Sequence, residues 1–301
     1  MRRARLPGAA GFSLVELLIS LAIGLAMIVF VTDLFLRSKG SYDLHDEYGR
    51  LQQEARLAMA LIGRNLSQAG FGRPLGIGAQ LQTSFTGRAF FACDSGFRQP
   101  EQAGPGDCAG SGSAASAFEV SYVVDGTVNS NTGAGTDCNG QAVPRNAEGE
   151  RIVINRFYLK PVEGAGRALY CTGNGNPIGQ PVLGNVEAMQ LTYGVSEAHS
   201  ARPNRFLGRA DAVLAGERDT GAANGANGAN EANSAFGSVV SVALCLQTVS
   251  SHTVPAAPQS FVDCQGRRQM ASDRKIHSVL HGVFALRNRL DSTVLAYPGR
   301  P

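Results

Sequence analysis

The chain of 301 residues has few charges, 17% of its residues, and 37 glycines, which points to a loop-rich β or α+β body. It also lacks most signatures of catalysis. None of its cysteines forms a CxxC pair, so the closely spaced ligands of a zinc ribbon are missing. No GxSxG turn occurs, and no phosphate-binding glycine loop precedes a helix. Of the five histidines, His277 and His281 lie four apart, but no neighbouring Glu or Cys completes a ligand set, so they read as ordinary strand residues. The loop Asp125–Asp137 offers several oxygen ligands for Ca²⁺. It lacks the spacing and terminal Glu of an EF-hand and reads as a polar loop. The expectation is therefore no catalytic residue, no metal and no cofactor. A membrane-anchored enzyme is the weaker alternative.

Basic excess is also absent from the body. Arg2, Arg3 and Arg5 precede Gly11; without them 24 basic and 24 acidic side chains remain. Nucleic acid is not indicated, since binding it needs a basic stripe on the folded body. A neutral body suits a subunit that packs against others without strong self-repulsion.

The N-terminus sets the compartment. After MRRARLPGAAG comes the apolar stretch 12–36, which as a helix spans roughly 37 Å, enough to cross a bilayer. Arginines on its N-terminal side predict a cytoplasmic N-terminus and an exported body. The small residues Gly8, Ala9, Ala10 and Gly11 precede the apolar run, whereas a secretory cleavage site follows it. Glu16 lies inside the apolar stretch, where a charge costs about 2.5–3.5 kcal/mol at the helix centre and less near the end.

In an exported body, six dispersed cysteines point to disulfides. They are Cys93, Cys108, Cys138, Cys171, Cys245 and Cys264. Of the possible connectivities, sequential pairing closes the shortest loops at the least entropic cost: 93–108, 138–171 and 245–264.

Residues 11–18, Gly-Phe-Ser-Leu-Val-Glu-Leu-Leu, resemble the class III signal of type IV pilins and type II secretion pseudopilins. The resemblance implies a leader, 1–11, cut by a prepilin peptidase after Gly11, with Phe12 as the methylated N-terminus. Cleavage would create an amine that titrates near ~7.7–8.0, one helical turn from Glu16. Glu16 is thus the expected assembly residue, pairing with its own N-terminus or a neighbouring subunit's.

No proline occurs between Pro7 and Pro74, and Leu44, Tyr48, Leu51, Ala55, Ala58, Ile62 and Leu66 recur at spacings of three or four. The spacing predicts that the membrane helix, 12–36, continues as an amphipathic helix over 37–72, with Gly70, Gly72 and Pro74 ending it. One helix over 12–68 is roughly 85 Å long. Beyond it, 73–301 reads as a β-rich globular body with strands over 118–124, 151–159, 186–194, 239–250 and 275–287. The Gly-Ala-Asn tract 220–234 reads as a disordered loop. The fold class expected is α+β and type IV pilin-like: a long N-terminal helix packed on an antiparallel, β-rich C-terminal body with long loops.

Two further stretches narrow the resemblance. Residues 53–72, QEARLAMALIGRNLSQAGFG, resemble the end of the long helix in PilW-type minor pilins, and 283–290, VFALRNRL, resemble their terminal strand. Leu191-Thr192-Tyr193-Gly194-Val195 is also similar. The chain departs from the family at Phe236, where members often carry Trp, and at Arg73-Pro74, where some carry Cys. The resemblance implies a minor pilin that primes pilus assembly or joins the tip complex, supporting adhesion and twitching motility. Its implied partners are other minor pilins, the major pilin, prepilin peptidase and the inner-membrane assembly platform. Its implied location is the inner membrane, single-pass with a periplasmic body, and then the pilus. A J-type pseudopilin of type II secretion shares the signal and is the alternative.

Overall fold

The computed structural model describes residues 13–75, 82–83, 85, 87–102, 106–110, 115–124, 135–164, 166–196, 202–219, 236–254 and 259–289. The leader, Gly11, Phe12, most of the 125–137 loop and the 220–234 tract lie outside them.

Helix α1 (Leu14–Gln68) is unbroken through Gly24, Gly40 and Gly49. It starts at Ser13, whose side chain makes no capping bond, and stops at Ala69. Gly70 supplies the reversal with φ 75, a left-handed conformation that suits glycine. Its amide donates to Ser121 O at 2.8 Å, handing the chain to the sheet.

The strands are β1 (Pro74–Leu75), β2 (Gln82–Thr83), β3 (Phe90–Cys93), β4 (Ala117–Val124), β5 (Arg151–Val162), β6 (Gly166–Gly173), β7 (Gln180–Leu183), β8 (Val186–Val195), β9 (Arg205–Leu207), β10 (Val239–Val249), β11 (Gln259–Val262), β12 (Arg268–Ala271) and β13 (His277–Ala285), with helix α2 (Arg209–Asp219) after β9. Strands β3 to β7 form an antiparallel meander in chain order. The second sheet has the order β13-β10-β8-β9, also antiparallel. Hairpins β1–β2 and β11–β12 stand apart from both. The chain passes between the sheets through Gly184 and Asn185, the latter at φ 53, an αL position that Asn tolerates.

The architecture is thus the expected α+β one, a long helix on an antiparallel body. Five anticipated strands appear as β4, β5, β8, β10 and β13 within a few residues of their expected ends. Sequence periodicity missed β3, β6, β7, β9, both hairpins and α2. These strands have two to four residues, except β6, which has glycine at both ends.

One core joins the three layers. Ala55, Ala58, Met59, Ile62 and Leu66 of α1 pack with Phe118, Phe157 and Leu169 of the meander and Tyr193, Val242 and Leu244 of the second sheet. The anticipated stripe is buried from Leu51 onward, whereas Leu44 is half-buried and Tyr48 exposed. Phe236 is fully buried, its ring edge-on to Phe90 at 5.4 Å and tilted against Tyr193 at 5.4 Å. Offset and edge arrangements are those aromatic quadrupoles favour. The disulfides join Cys93–Cys108, Cys138–Cys171 and Cys245–Cys264, neighbours along the chain.

Candidate functional site

The two halves of α1 differ in environment. Between Leu14 and Arg50 no residue is buried, and Leu17, Leu21, Ile28 and Phe35 are each more than half exposed. This is the one helix among the described residues long and apolar enough to cross a membrane. Polar side chains there are satisfied locally: Ser20 Oγ donates to Glu16 O at 2.9 Å and Thr32 Oγ1 to Ile28 O at 2.7 Å. Glu16 sits in the first turn, where a carboxylate faces the positive end of the helix dipole. Its expected partner at Phe12 lies outside the described residues.

Beyond the shared core, contacts with β13 and the residues after it fix the second half to the body. Gly63 lets β13 approach closely: a Cβ there would stand 2.4 Å from Phe284 Cε1. At the helix end, Asn288 Nδ2 donates to Ser67 O at 3.1 Å and Ala69 O at 3.3 Å. Those carbonyls have no intrahelical partner, so the asparagine acts as a distant C-cap. Leu286, two residues earlier, is buried. The 53–72 segment and the described part of the 283–290 segment, 283–289, singled out separately in the sequence, are therefore one contact.

Polar side chains also cluster inside the body. Glu119, 2% exposed, takes Arg88 on Oε1 and Arg156 on Oε2, each at 2.6 Å, and the Gly106 amide on Oε2 at 3.0 Å. Near α1, Asn155 Nδ2 donates to Asn65 Oδ1 at 2.7 Å and approaches the Tyr122 hydroxyl at 3.4 Å. Burial pushes the Tyr122 hydroxyl up to about 12. Asp137, at the end of the suspected Ca²⁺ loop, accepts from the amides of Asn139, Gln141 and Gly175, so its oxygens serve as backbone acceptors.

The histidines part company. His281 is exposed, with Nε2 3.9 Å from Cys245 Sγ. His277 is 8% exposed, stacked on Phe261 at 4.5 Å with 4° between the rings. The fold brings Glu187 to it from 90 residues away, while Asp273, four residues before it in the chain, is a neighbour the sequence already offered. Nδ1 lies 3.0 Å from Glu187 Oε2, and Nε2 lies 3.2 Å from both oxygens of Asp273. Burial opposes ionisation of Asp273, but hydrogen bonds from the Lys275 amide and the His277 ring outweigh it and hold that carboxyl below its usual value.

No family model matches the chain, and no curated protein matches it. Among solved structures, it is similar to a type IV-like pilin from Thermus thermophilus, at 14% identity and a TM-score of 0.40, over 80% of this chain and 98% of that one.

Proposed function

We propose that the chain is a minor pilin of the PilW type. Its leader is removed after Gly11, Phe12 becomes the methylated N-terminus, and the body is held in the periplasm by the apolar half of α1 until assembly. It then joins other minor pilins and the major pilin, priming the pilus or forming part of its tip, in support of adhesion and twitching motility. It has no catalytic role.

The observation that carries this reading is the division of α1. One continuous helix is packed on its own body from Leu51 onward, touches it through Leu44 and Glu47, and is bare and apolar from Leu14 to Leu36. A contiguous apolar surface of that size marks a membrane or protein contact. A bilayer covers it first, and a bundle of like helices covers it after extraction. The pilin-like signal at 11–18 supplies the processing step. Glu16 then pairs with the new N-terminal amine of its own or a neighbouring subunit, which offsets its desolvation only when that partner is present.

The test is immunoprecipitation from sheared pili followed by mass spectrometry. The expected result is a mature N-terminus at Phe12 and recovery with pilins. A different N-terminus overturns the processing step, and recovery with secretion pseudopilins moves the chain to the other assembly. Glu16→Ala is expected to lower incorporation into pili, and unchanged incorporation removes Glu16 from the assembly step.

A further inference from the structure

The His277 cluster stands on the face of the second sheet, under the β11–β12 hairpin, and the pilus reading makes no use of it. Its parts come from two places in the chain: Glu187 near the start of β8, and His277 at the start of β13 with Asp273 in the turn before it. The ring is held firmly. Phe261 stacks on it, and the His277 amide donates to Gln259 Oε1 at 3.2 Å. The hairpin carrying both residues is tied at its turn to β10 by Cys245–Cys264. Glu187 is itself oriented by Gln247 Nε2, at 2.6 Å.

The hydrogen-bond chemistry sets the ring's polarity. An ionised carboxylate only accepts, so Nδ1, facing Glu187 at 3.0 Å, carries a hydrogen. A second hydrogen on Nε2 lets the ring donate to Asp273 as well; without it the Nε2 lone pair faces that carboxylate. Two anionic oxygens facing a lone pair repel it unless a cation lies between them. A proton or a metal ion can fill that place, and the spacing admits the metal. Nε2 meets both Asp273 oxygens symmetrically at 3.2 Å, the long end of the ~2.7–3.2 Å range of an N–H···O bond. Two ligands each ~2.0–2.2 Å from one zinc ion, at an angle near the tetrahedral or octahedral value, stand about 3.0–3.4 Å apart.

We propose that His277 Nε2 and the Asp273 carboxylate bind a divalent cation of the zinc class, with Glu187 as the positioning residue on Nδ1. Carboxylate–imidazole–metal is a common arrangement, because the carboxylate fixes the ring's tautomer and raises its basicity. The Lys275 amide, donating to Asp273 Oδ1 at 3.0 Å, fixes the second ligand in the same way. The adjoining cleft of about 480 Å³ leaves room for waters at the remaining positions. Bound metal would clamp the turn before β13 to the second sheet and add to the disulfide's hold on the hairpin. This site is independent of the pilus reading.

The experiment uses the full chain in detergent, stripped with chelator and titrated with Zn²⁺ by calorimetry, with thermal unfolding followed in parallel. One equivalent is expected to bind and to raise Tm. Asp273→Asn keeps an acceptor for the Lys275 amide, so the turn is preserved, and it is expected to abolish the one-equivalent binding. Glu187→Gln is expected to weaken binding about 10–100-fold, the range for loss of an orienting carboxylate. His281→Gln is expected to bind as the unaltered chain does. Absence of saturable binding, full binding by Asp273→Asn, or loss in His281→Gln each overturns the site. In the first case, a proton alone bridges His277 and Asp273.

Discussion

Glu119 illustrates how much one buried side chain can hold in this body. It neutralises one of two guanidiniums and accepts from the Gly106 amide, while Arg88 also lies 3.8 Å over the Phe91 ring. Arg156 NH1 continues to the carbonyls of Pro100 and Gln102. One carboxylate thus pins two stretches of irregular chain onto β4 and β5. Glu119→Gln keeps the shape and removes the charge, leaving buried Arg156 and half-buried Arg88 without a counter-ion. Breaking a buried pair in this way costs about 3–5 kcal/mol. Equilibrium urea unfolding of the variant is expected to show a loss of that size; a loss below ~1 kcal/mol would show that solvent reaches the cluster. Nothing in the local sequence around Glu119 announces this, because its partners come from 31 and 37 residues away.

At the scale of elements, α1 carries two kinds of glycine. Gly49 has nothing within 4 Å of where a Cβ would stand, whereas Gly63 has the Phe284 ring there. Helix propensity rules the first site: Gly49→Ala is expected to stabilise by about 0.5–1 kcal/mol. Packing rules the second: Gly63→Val forces Phe284 off the helix and is expected to cost about 1–3 kcal/mol despite its better propensity. Thermal unfolding of the two variants, moving in opposite directions, checks both. Elements were legible where their period was long. The stripe Leu51, Ala55, Ala58, Ile62 and Leu66 reads at helical spacing because one side of α1 is buried. Strands β5 and β10, of 12 and 11 residues, announce themselves by β-branched clusters. Strands of two to four residues give no period to read. Helix α2 hides because, among its residues 209–215, only Ala212 is buried.

At the scale of the whole molecule, the disulfides act within layers. Cys138–Cys171 and Cys93–Cys108 serve the meander and its loops, and Cys245–Cys264 ties a hairpin to the second sheet. The sheets are joined by the shared core and by hydrogen bonds such as Ser116 N to Met189 O at 3.1 Å, with no disulfide between them. The loops closed have separations of 33, 19 and 15 residues. In the loop-closure model each bond contributes about 2–4 kcal/mol, and the longest exceeds the shortest by roughly 0.7 kcal/mol. Paired Cys→Ala variants are therefore expected to lose most stability at Cys138–Cys171 and least at Cys93–Cys108 in denaturant unfolding. An inverted order would place the effect in native packing.

The sequence by itself determined the long helix, its bare and packed halves and the strand-rich body. These follow from composition and from periods repeated over many residues, and local chain geometry converts them directly into faces. The pilin-like signal at Gly11–Phe12 and Glu16 belongs to the same level, since a linear motif is read in order. Only the tertiary structure decided the order of the sheets, the Asn288 cap on α1 and the meeting of Glu187 with the Asp273–His277 pair. Each of these depends on strand register and on contacts between residues far apart in the chain. The cap joins side chain and carbonyls 221 and 219 residues apart, and the Glu187–His277 contact spans 90. Over such separations the sequence holds the parts, and shared burial in one core sets which of them touch.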